Sequence, residues 1–217
     1  MAEAVPIAVF VSGSGSNMEA LCAAASAGLV TVRVVAVVSD EPGASGLVRA
    51  ARRGIPALAV DRRRYESRGD HERAILEALA PHAPRMAVLA GYMRIVTPVL
   101  LGHFNSEGRL GVVNVHPADT RAYQGVHGYE FAFGLTKKGP RLSETFITVH
   151  FVDRGMDTGP VIEQVRVPVH PDDTLDELKE RGLAVEHQLL PRMVDRVARG
   201  LVRLDSNQVF HSEQPTS

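Results

Sequence analysis

The sequence is poor in cysteine and has no tryptophan. Its single cysteine, Cys22, excludes an internal disulfide framework and any metal cluster built from cysteine alone. No apolar run approaches the roughly 18–20 residues that a membrane span needs. The first ten residues have neither the positive charge nor the long apolar stretch of a secretory signal. We therefore expect a cytoplasmic protein that does not contact a membrane.

An excess of charge of either sign is also missing. Lys and Arg number 24 and Asp and Glu number 25 in 217 residues, which argues against a nucleic-acid partner. The chain has no internal repeat and no low-complexity linker, so residues 1–204 are expected to form a single domain. Residues 205–217 contain few apolar side chains and are expected to be a disordered tail. The oligomeric state stays open, and a homodimer is one option.

Short apolar runs alternate with segments of helical periodicity along the first half of the chain. Near-continuous apolar strands are typical of a parallel sheet that is covered on both faces. In the last third, apolar and polar residues alternate more strongly, which indicates an antiparallel strand pair. A long segment of helical periodicity follows this pair. The fold class predicted is α/β, a doubly wound and mostly parallel Rossmann-type sheet with an antiparallel C-terminal strand pair. The predicted strands are 6–12, 32–39, 56–60, 86–91, 111–116, 143–153 and 159–169, and the early helices are 17–27, 45–53, 71–82 and 98–104.

A glycine-rich loop, Ser-Gly-Ser-Gly-Ser-Asn at residues 12–17, follows the first predicted strand. Free backbone amides at the start of the next helix would bind an anion, and a phosphate is the natural ligand. A dinucleotide fingerprint would need a third glycine where Met18 stands, although Asp40 could otherwise pass for its ribose-binding acid. A nucleotide P-loop is excluded because no Gly-Lys-Ser/Thr follows. A tight turn without a ligand stays an alternative.

Polar side chains stand at the end of the fifth predicted strand. Asn114 and His116 are two residues apart and therefore face the same side of a strand. An amide donor beside a titratable imidazole suits acyl transfer. Asp157 lies in a loop between Gly155 and Gly159, and a carboxylate near His116 would raise the pKa of the imidazole. The alternatives are a histidine that bonds a loop carbonyl and an acid on a surface turn.

A metal site is not expected. His116, His127 and His150 could be imagined as a trio of ligands, but none of them has the short spacing of a typical histidine site. Structural or incidental roles are the simpler interpretation for His127 and His150.

Five motifs taken together carry a resemblance to a known family. In chain order they are Gly-Ser-Gly-Ser-Asn at 13–17, Ala-Gly-Tyr-Met-Arg-Ile at 90–95, Asn-Val-His-Pro at 114–117, Val-His-Phe-Val at 149–152, and Met-Asp-Thr-Gly-Pro-Val-Ile at 156–162. With these motifs the chain resembles the phosphoribosylglycinamide formyltransferases, folate-dependent enzymes of purine biosynthesis. The resemblance extends over residues 6–204, and an ordered set of motifs is far more specific than any one of them.

The resemblance implies a reaction and a set of site residues. The co-substrate would be 10-formyltetrahydrofolate, used without a metal, and the acceptor would be the amine of 5-phosphoribosylglycinamide, so the partners are small molecules. The implied catalytic residues are Asn114, His116 and Asp157. The implied substrate-binding residues are Gly15, Ser16, Asn17 and Glu186, and the implied folate-binding residues are Arg68, Met93, Arg94, Ile95, Val96 and Asn114.

One segment departs from the family pattern. After His-Pro the family usually reads Ser-Leu-Leu-Pro and then Lys-Tyr-x-Gly, whereas residues 118–125 here read Ala-Asp-Thr-Arg-Ala-Tyr-Gln-Gly. Residues 131–143, with Lys137 and Lys138, also look longer than usual. These changes border the implied reaction centre and leave two alternatives. One is a folate-dependent formyltransferase with another acceptor, and the other is a non-catalytic homologue that binds folate or a nucleotide.

Overall fold

The computed structural model describes residues 3–213, which contain nine strands and six α-helices. The strands are β1 (Val5–Val11), β2 (Val32–Ser39), β3 (Ala57–Ala59), β4 (Met86–Leu89), β5 (Val112–His116), β6 (Glu144–Phe151), β7 (Val161–Pro168), β8 (Val202–Asp205) and β9 (Gln208–His211). The helices are α1 (Ser16–Ser26), α2 (Ser45–Arg52), α3 (Arg68–Leu79), α4 (Pro98–Phe104), α5 (Gly128–Ala132) and α6 (Leu175–Ala198). Every strand and helix predicted in the first 169 residues is present, with its ends shifted by a few residues at most.

Seven of the strands form one sheet in the order β3-β2-β1-β4-β5-β6-β7. In this order, the five strands from β3 to β5 pair parallel with one another. β6 pairs antiparallel with β5, and β7 pairs antiparallel with β6. The predicted fold class, with its antiparallel C-terminal pair, is therefore confirmed.

The central strand β1 shows why its sequence is apolar throughout. Ile7, Val9 and Val11 face one hydrophobic cluster, which also contains side chains of α1, α2 and α6. Ala8 and Phe10 face the second cluster, which contains side chains of α3 and α4. Successive strand residues point to opposite faces, so a strand covered by helices on both sides needs an unbroken apolar run.

The sheet has its topological switch point between β1 and β4. The chain leaves β1 towards β2 and β3 at one edge, then returns to pair β4 with the other side of β1. Ligands of doubly wound sheets bind at the carboxyl ends of the strands at such a point. Two loops meet there: the glycine loop, residues 12–17 after β1, and the 90–96 loop, residues 90–96 after β4.

Two elements differ from the sequence-based expectation. The first is the short helix α5 in the segment after residue 125, for which no helix was predicted. The expected disordered tail is wrong for residues 205–213, because β9 pairs antiparallel with β8 and the amide of Ser212 donates to the carbonyl of Leu201. Residues 214–217 of that expectation lie outside the described residues. Within residues 3–213, no helix combines the length and apolarity needed to cross a bilayer.

Candidate active site

A cleft of about 750 Å³ opens at the switch point. The glycine loop and the 90–96 loop form two of its walls, and the end of β5 forms its floor. The cleft is also lined by residues 125–130, by Met156 and Asp157 of the β6–β7 loop, and by Leu183 and Glu186 of α6. Most of the residues implied by the family resemblance therefore lie around one cavity.

The glycine loop leaves the start of α1 open to a ligand. Gly15 has a φ of 73°, and a Cβ at this position would lie 2.6 Å from the Cα of Gly46, so only glycine fits without strain. Among the described residues no side chain caps the N-terminus of α1. The first amides of the helix therefore stay available to an anion, and the helix dipole favours negative charge there.

Glu186 lies against the start of α1 and is held by two donors. The Nδ2 of Asn17 and the hydroxyl of Tyr129 each donate to one of its carboxylate oxygens, both at 2.5 Å. Burial raises the pKa of Glu186, although both hydrogen bonds oppose that shift. The Oδ1 of Asn17 is buried and has no hydrogen-bond partner within the described part of the chain. Buried polar atoms are normally paired, so this corner of the cleft fits a ligand that brings hydrogen-bond donors.

Asp157 joins a polar cluster with Asn114, His116 and His150. Its Oδ2 lies 3.5 Å from the Nδ1 of His116 and accepts from the amide of Gly125 at 2.8 Å. Its Oδ1 accepts from the Nδ2 of Asn114 at 3.2 Å. Asp157, from the β6–β7 loop, thus contacts each of the two β5 side chains that are proposed as catalytic.

The charge state of His116 differs from the sequence-based expectation. The charge of Asp157 does favour the protonated ring, but burial outweighs it, and the pKa of His116 is lowered overall. Burial acts on Asp157 in the opposite direction. The contact with His150, the charge of His116 and the amide of Gly125 outweigh it and lower the pKa of the carboxyl. The site therefore favours a neutral imidazole beside an ionised carboxylate.

The tautomer of His116 follows from its other contact. Its Nε2 lies 3.1 Å from the carbonyl oxygen of Tyr123, which can only accept, so Nε2 carries a hydrogen. In the neutral ring Nδ1 is then a bare nitrogen that faces Asp157 at 3.5 Å. One added proton would turn this contact into a charge-assisted hydrogen bond, so the pair is arranged to accept a proton.

His150 is a member of the cluster that sequence reasoning missed. Its Nδ1 donates to the carbonyl of Phe151 at 2.8 Å, which leaves Nε2 of the neutral ring to accept from Asn114 at 3.0 Å. His150 is 1% exposed and lies opposite Asn114 in the pairing of β5 with β6. The alternation of apolar and polar residues predicted that β6 and β7 pair with each other, but not that β6 also pairs with β5, so the sequence had no signal for this contact.

The residues expected to bind folate divide into two groups. Met93, Arg94 and Ile95 line the cleft, and the side chain of Met93 is 62% exposed in it. Val96 does not line the cleft, because its side chain is buried in the cluster formed with α3 and α4. Arg68 is exposed at the first residue of α3 and is also absent from the cleft lining.

The segment that departs from the family pattern still supports His116. Tyr123 supplies the carbonyl that binds the imidazole, and its ring stacks on Phe131 with centroids 4.4 Å apart. The ammonium group of Lys138 lies 4.5 Å from the centroid of the Tyr123 ring. The segment after α5 therefore packs onto the residue that holds the imidazole.

Comparison with known proteins identifies the family of the chain. The model of the formyl transferase family matches residues 5–194. A phosphoribosylglycinamide formyltransferase of Bacillus subtilis is 34% identical over 192 residues, which are 88% of this chain and 93% of that protein. A trifunctional purine biosynthetic protein adenosine-3 of Drosophila melanogaster is 38% identical over 196 residues, but this chain spans only 14% of its length.

A solved structure extends the similarity to three dimensions. The crystal structure of glycinamide ribonucleotide transformylase 1 from Symbiobacterium toebii superposes with a TM-score of 0.87 at 34% identity, and covers 96% of this chain and 94% of that one. The same family is indicated by the sheet order, by the cleft at the switch point and by the matches over most of the chain. The chain belongs to the formyl transferase family.

Proposed function

We propose that this chain transfers the formyl group of 10-formyltetrahydrofolate to the amine of 5-phosphoribosylglycinamide in purine biosynthesis. The relative from Bacillus subtilis carries this activity in its name and is matched over 93% of its length. The observation that carries the proposal is the contact of Asp157 with His116 and Asn114 beside an open helix N-terminus. Both substrates are small molecules, and a cytoplasmic location goes with this assignment.

Different walls of the cleft would bind different parts of the two substrates. The amides of Gly15, Ser16 and Asn17 at the start of α1 would bind the phosphate. Glu186 and the unpaired Oδ1 of Asn17 are acceptors and would bind the ribose hydroxyls. The exposed side chains of Met93 and Ile95, with Arg94, offer an apolar surface with one positive charge for the folate.

The polar cluster supplies what formyl transfer requires. Attack of the amine on the formyl carbon forms a carbon–nitrogen bond and places negative charge on the formyl oxygen. Asn114 would donate a hydrogen bond to that oxygen, and the positive charge of His116, once the ring is protonated, would stabilise it electrostatically. The bond from Asn114 to Asp157 is 3.2 Å long, which makes it the contact that we expect to yield when an oxyanion competes for the amide.

The proton released by the amine needs an acceptor and then a destination. The pair formed by the bare Nδ1 of His116 and the carboxylate of Asp157 would accept it and become an imidazolium–carboxylate ion pair. When the bond between the formyl carbon and N10 of the folate breaks, the same proton would pass to that nitrogen. The net reaction moves one formyl group and one proton, and it leaves the enzyme unchanged.

An assay of purified protein with 10-formyltetrahydrofolate tests the proposal against its alternatives. We expect formylation of 5-phosphoribosylglycinamide, followed by mass spectrometry of the product and by the absorbance of released tetrahydrofolate. Turnover of the folate with another amine or with water alone would indicate a changed acceptor. Binding of folate without any turnover would indicate a non-catalytic homologue. Either outcome contradicts the proposed reaction.

A further inference from the structure

Asp40 is a buried carboxylate that the reaction described above does not use. It follows β2 and is 1% exposed, and it is not part of the cleft lining. Its Oδ1 accepts a hydrogen bond from the hydroxyl of Ser12 at 2.6 Å. The guanidinium groups of Arg62 and Arg94 lie 3.7 and 3.9 Å from its Oδ2. A buried charge is costly unless it is paired, and these contacts explain how this one is tolerated.

The contact with Asp40 fixes the direction of the Ser12 hydroxyl. A serine hydroxyl has one hydrogen, and a carboxylate can only accept, so that hydrogen points to Asp40. The lone pairs of the oxygen are then left for a donor, and the backbone amide of Met93 donates to them at 2.9 Å. The backbone amide of Ser12 also donates to the carbonyl of Gly91 at 3.0 Å. Ser12, the first residue of the glycine loop, therefore holds the 90–96 loop at two points.

The 90–96 loop has few other polar supports. Within the described residues, the amide of Ala90 donates to the end of β1, and the next backbone tie is the amide of Thr97, which donates to Glu72 at 2.6 Å. Between these two points, the supports are the contacts with Ser12, the ion pair of Arg94 with Asp40, the edge-to-face packing of Tyr92 on Phe10 and the burial of Val96. Burial does not hold the tip of the loop, since Met93 is 62% exposed.

We propose that Asp40 is a positioning residue for the folate side of the cleft. It acts through the Ser12 hydroxyl on the amide of Met93 and through the ion pair on Arg94, and so sets the shape of the 90–96 loop from outside the cleft. Because Ser12 also begins the glycine loop, the shape of one substrate site is tied to that of the other. The identity of the ligand in this inference rests on the proposed function, but the loop contact does not.

Two measurements on the full chain test the inference. Amide hydrogen exchange of Met93, measured by NMR, reports the loop contact without any ligand. Calorimetric titration with tetrahydrofolate reports the consequence for binding. The variants are Asp40→Ala, which removes the acceptor, Asp40→Asn, which keeps an acceptor oxygen, and Ser12→Ala, which removes the hydroxyl should Asp40→Ala fail to fold. Glu41→Gln is the matched control, because Glu41 pairs with Arg62 at 2.5 Å but does not contact Ser12.

The expected pattern is selective. Asp40→Ala and Ser12→Ala should each speed exchange at Met93 and weaken tetrahydrofolate binding by about tenfold, the effect of losing one charge-assisted hydrogen bond. Asp40→Asn should recover part of the loss, and Glu41→Gln should match the wild type. The inference is overturned if Met93 exchange is unchanged in Asp40→Ala and Ser12→Ala, or if the control shows the same loss.

Failure of the proposed function would look different. Wild-type protein that shows no formyl transfer, yet shows faster Met93 exchange and weaker tetrahydrofolate binding in the variants, would contradict the proposed reaction and support the positioning role. Wild-type protein that does not bind tetrahydrofolate at all would overturn both.

Discussion

The hydroxyl oxygen of Tyr129 occupies the space that a side chain at Gly182 would need. A Cβ at Gly182 would lie 2.2 Å from that oxygen, and the same hydroxyl donates to Glu186 at 2.5 Å. Gly182 and Glu186 are four residues apart on one face of α6. The absence of a side chain at Gly182 thus allows Tyr129 of α5 to reach the carboxylate of Glu186.

Replacing Gly182 with alanine should displace Tyr129 and leave Glu186 with one donor fewer. We expect the KM for the phosphoribosyl amine to rise about tenfold, the usual effect of losing a hydrogen bond to a charged group. The KM for the formyl donor should change little, because the 90–96 loop does not contact Gly182. Steady-state kinetics with each substrate varied in turn would measure the difference.

The matched control is Gly102→Ala in α4, where an added Cβ meets no atom within 4 Å. Alanine there should leave both KM values unchanged and, through its higher helix propensity, stabilise the protein by up to about 1 kcal/mol. Equal changes of both KM values in Gly182→Ala would contradict the role given to Tyr129.

Asp157→Asn should remove the proton acceptor while keeping the backbone. Asp157 has a φ of 53°, and asparagine tolerates this left-handed conformation well. We expect kcat to fall by about 10² to 10⁴, the usual contribution of a general base. The melting temperature and tetrahydrofolate binding should stay close to wild type. Full turnover by this variant would show that the carboxylate has no part in the reaction.

His150→Phe should slow the reaction because the Asn114 amide loses the acceptor that orients it. The loss should approach the factor of about 10² to 10³ that follows removal of one oxyanion donor. A double-mutant cycle with Asn114→Ala gives the sharper measurement. If His150 acts through Asn114, adding His150→Phe to Asn114→Ala should cost little more, whereas independent effects on the rate would multiply.

The stability of the protein should depend on His116 in a defined pH range. Burial lowers the folded-state pKa of His116 from its ordinary value of 6.5, so the unfolded chain binds this proton more tightly. The stability contributed by the neutral ring is fully present above about pH 6.5 and is lost as the pH falls through the folded-state pKa. The melting temperature of the wild type should therefore drop more on acidification than that of His116→Asn. Equal drops in the melting temperatures of both proteins would contradict the lowered pKa that is assigned to His116.

The sequence predicted the sheet well because its signals are local. Continuous apolar runs such as residues 6–12 belong to strands that are covered on both faces, and the glycine loop marks the turn from β1 into α1. The helix α5 escaped prediction because it is only five residues long and starts after His127, a non-glycine residue with a φ of 73°. The β8–β9 hairpin escaped because its turn, Ser206 and Asn207, sits among polar residues that also suit a disordered tail.

The candidate site was predictable in most of its members but not in its energetics. Alternation placed Asn114 and His116 on one face, the glycine-flanked loop singled out Asp157, and the family resemblance implied that the three act together. The lowered pKa of His116 depends on how deeply the fold buries the ring, which no spacing of residues reveals. The contact of His150 with Asn114 depends on strand register, and the link from Asp40 to Met93 depends on three segments meeting at the switch point.

The residue at position 157 must meet two requirements, a left-handed backbone conformation and a negative charge. Asparagine and glycine accept that conformation but carry no negative charge, while glutamate carries the charge on a longer arm and seldom adopts a positive φ. Aspartate alone among the twenty residues satisfies both demands. A saturation library at this site should therefore give different results under two selections. Asparagine and glycine should be enriched under selection for folding, and only aspartate should survive selection for growth that depends on the activity of the enzyme.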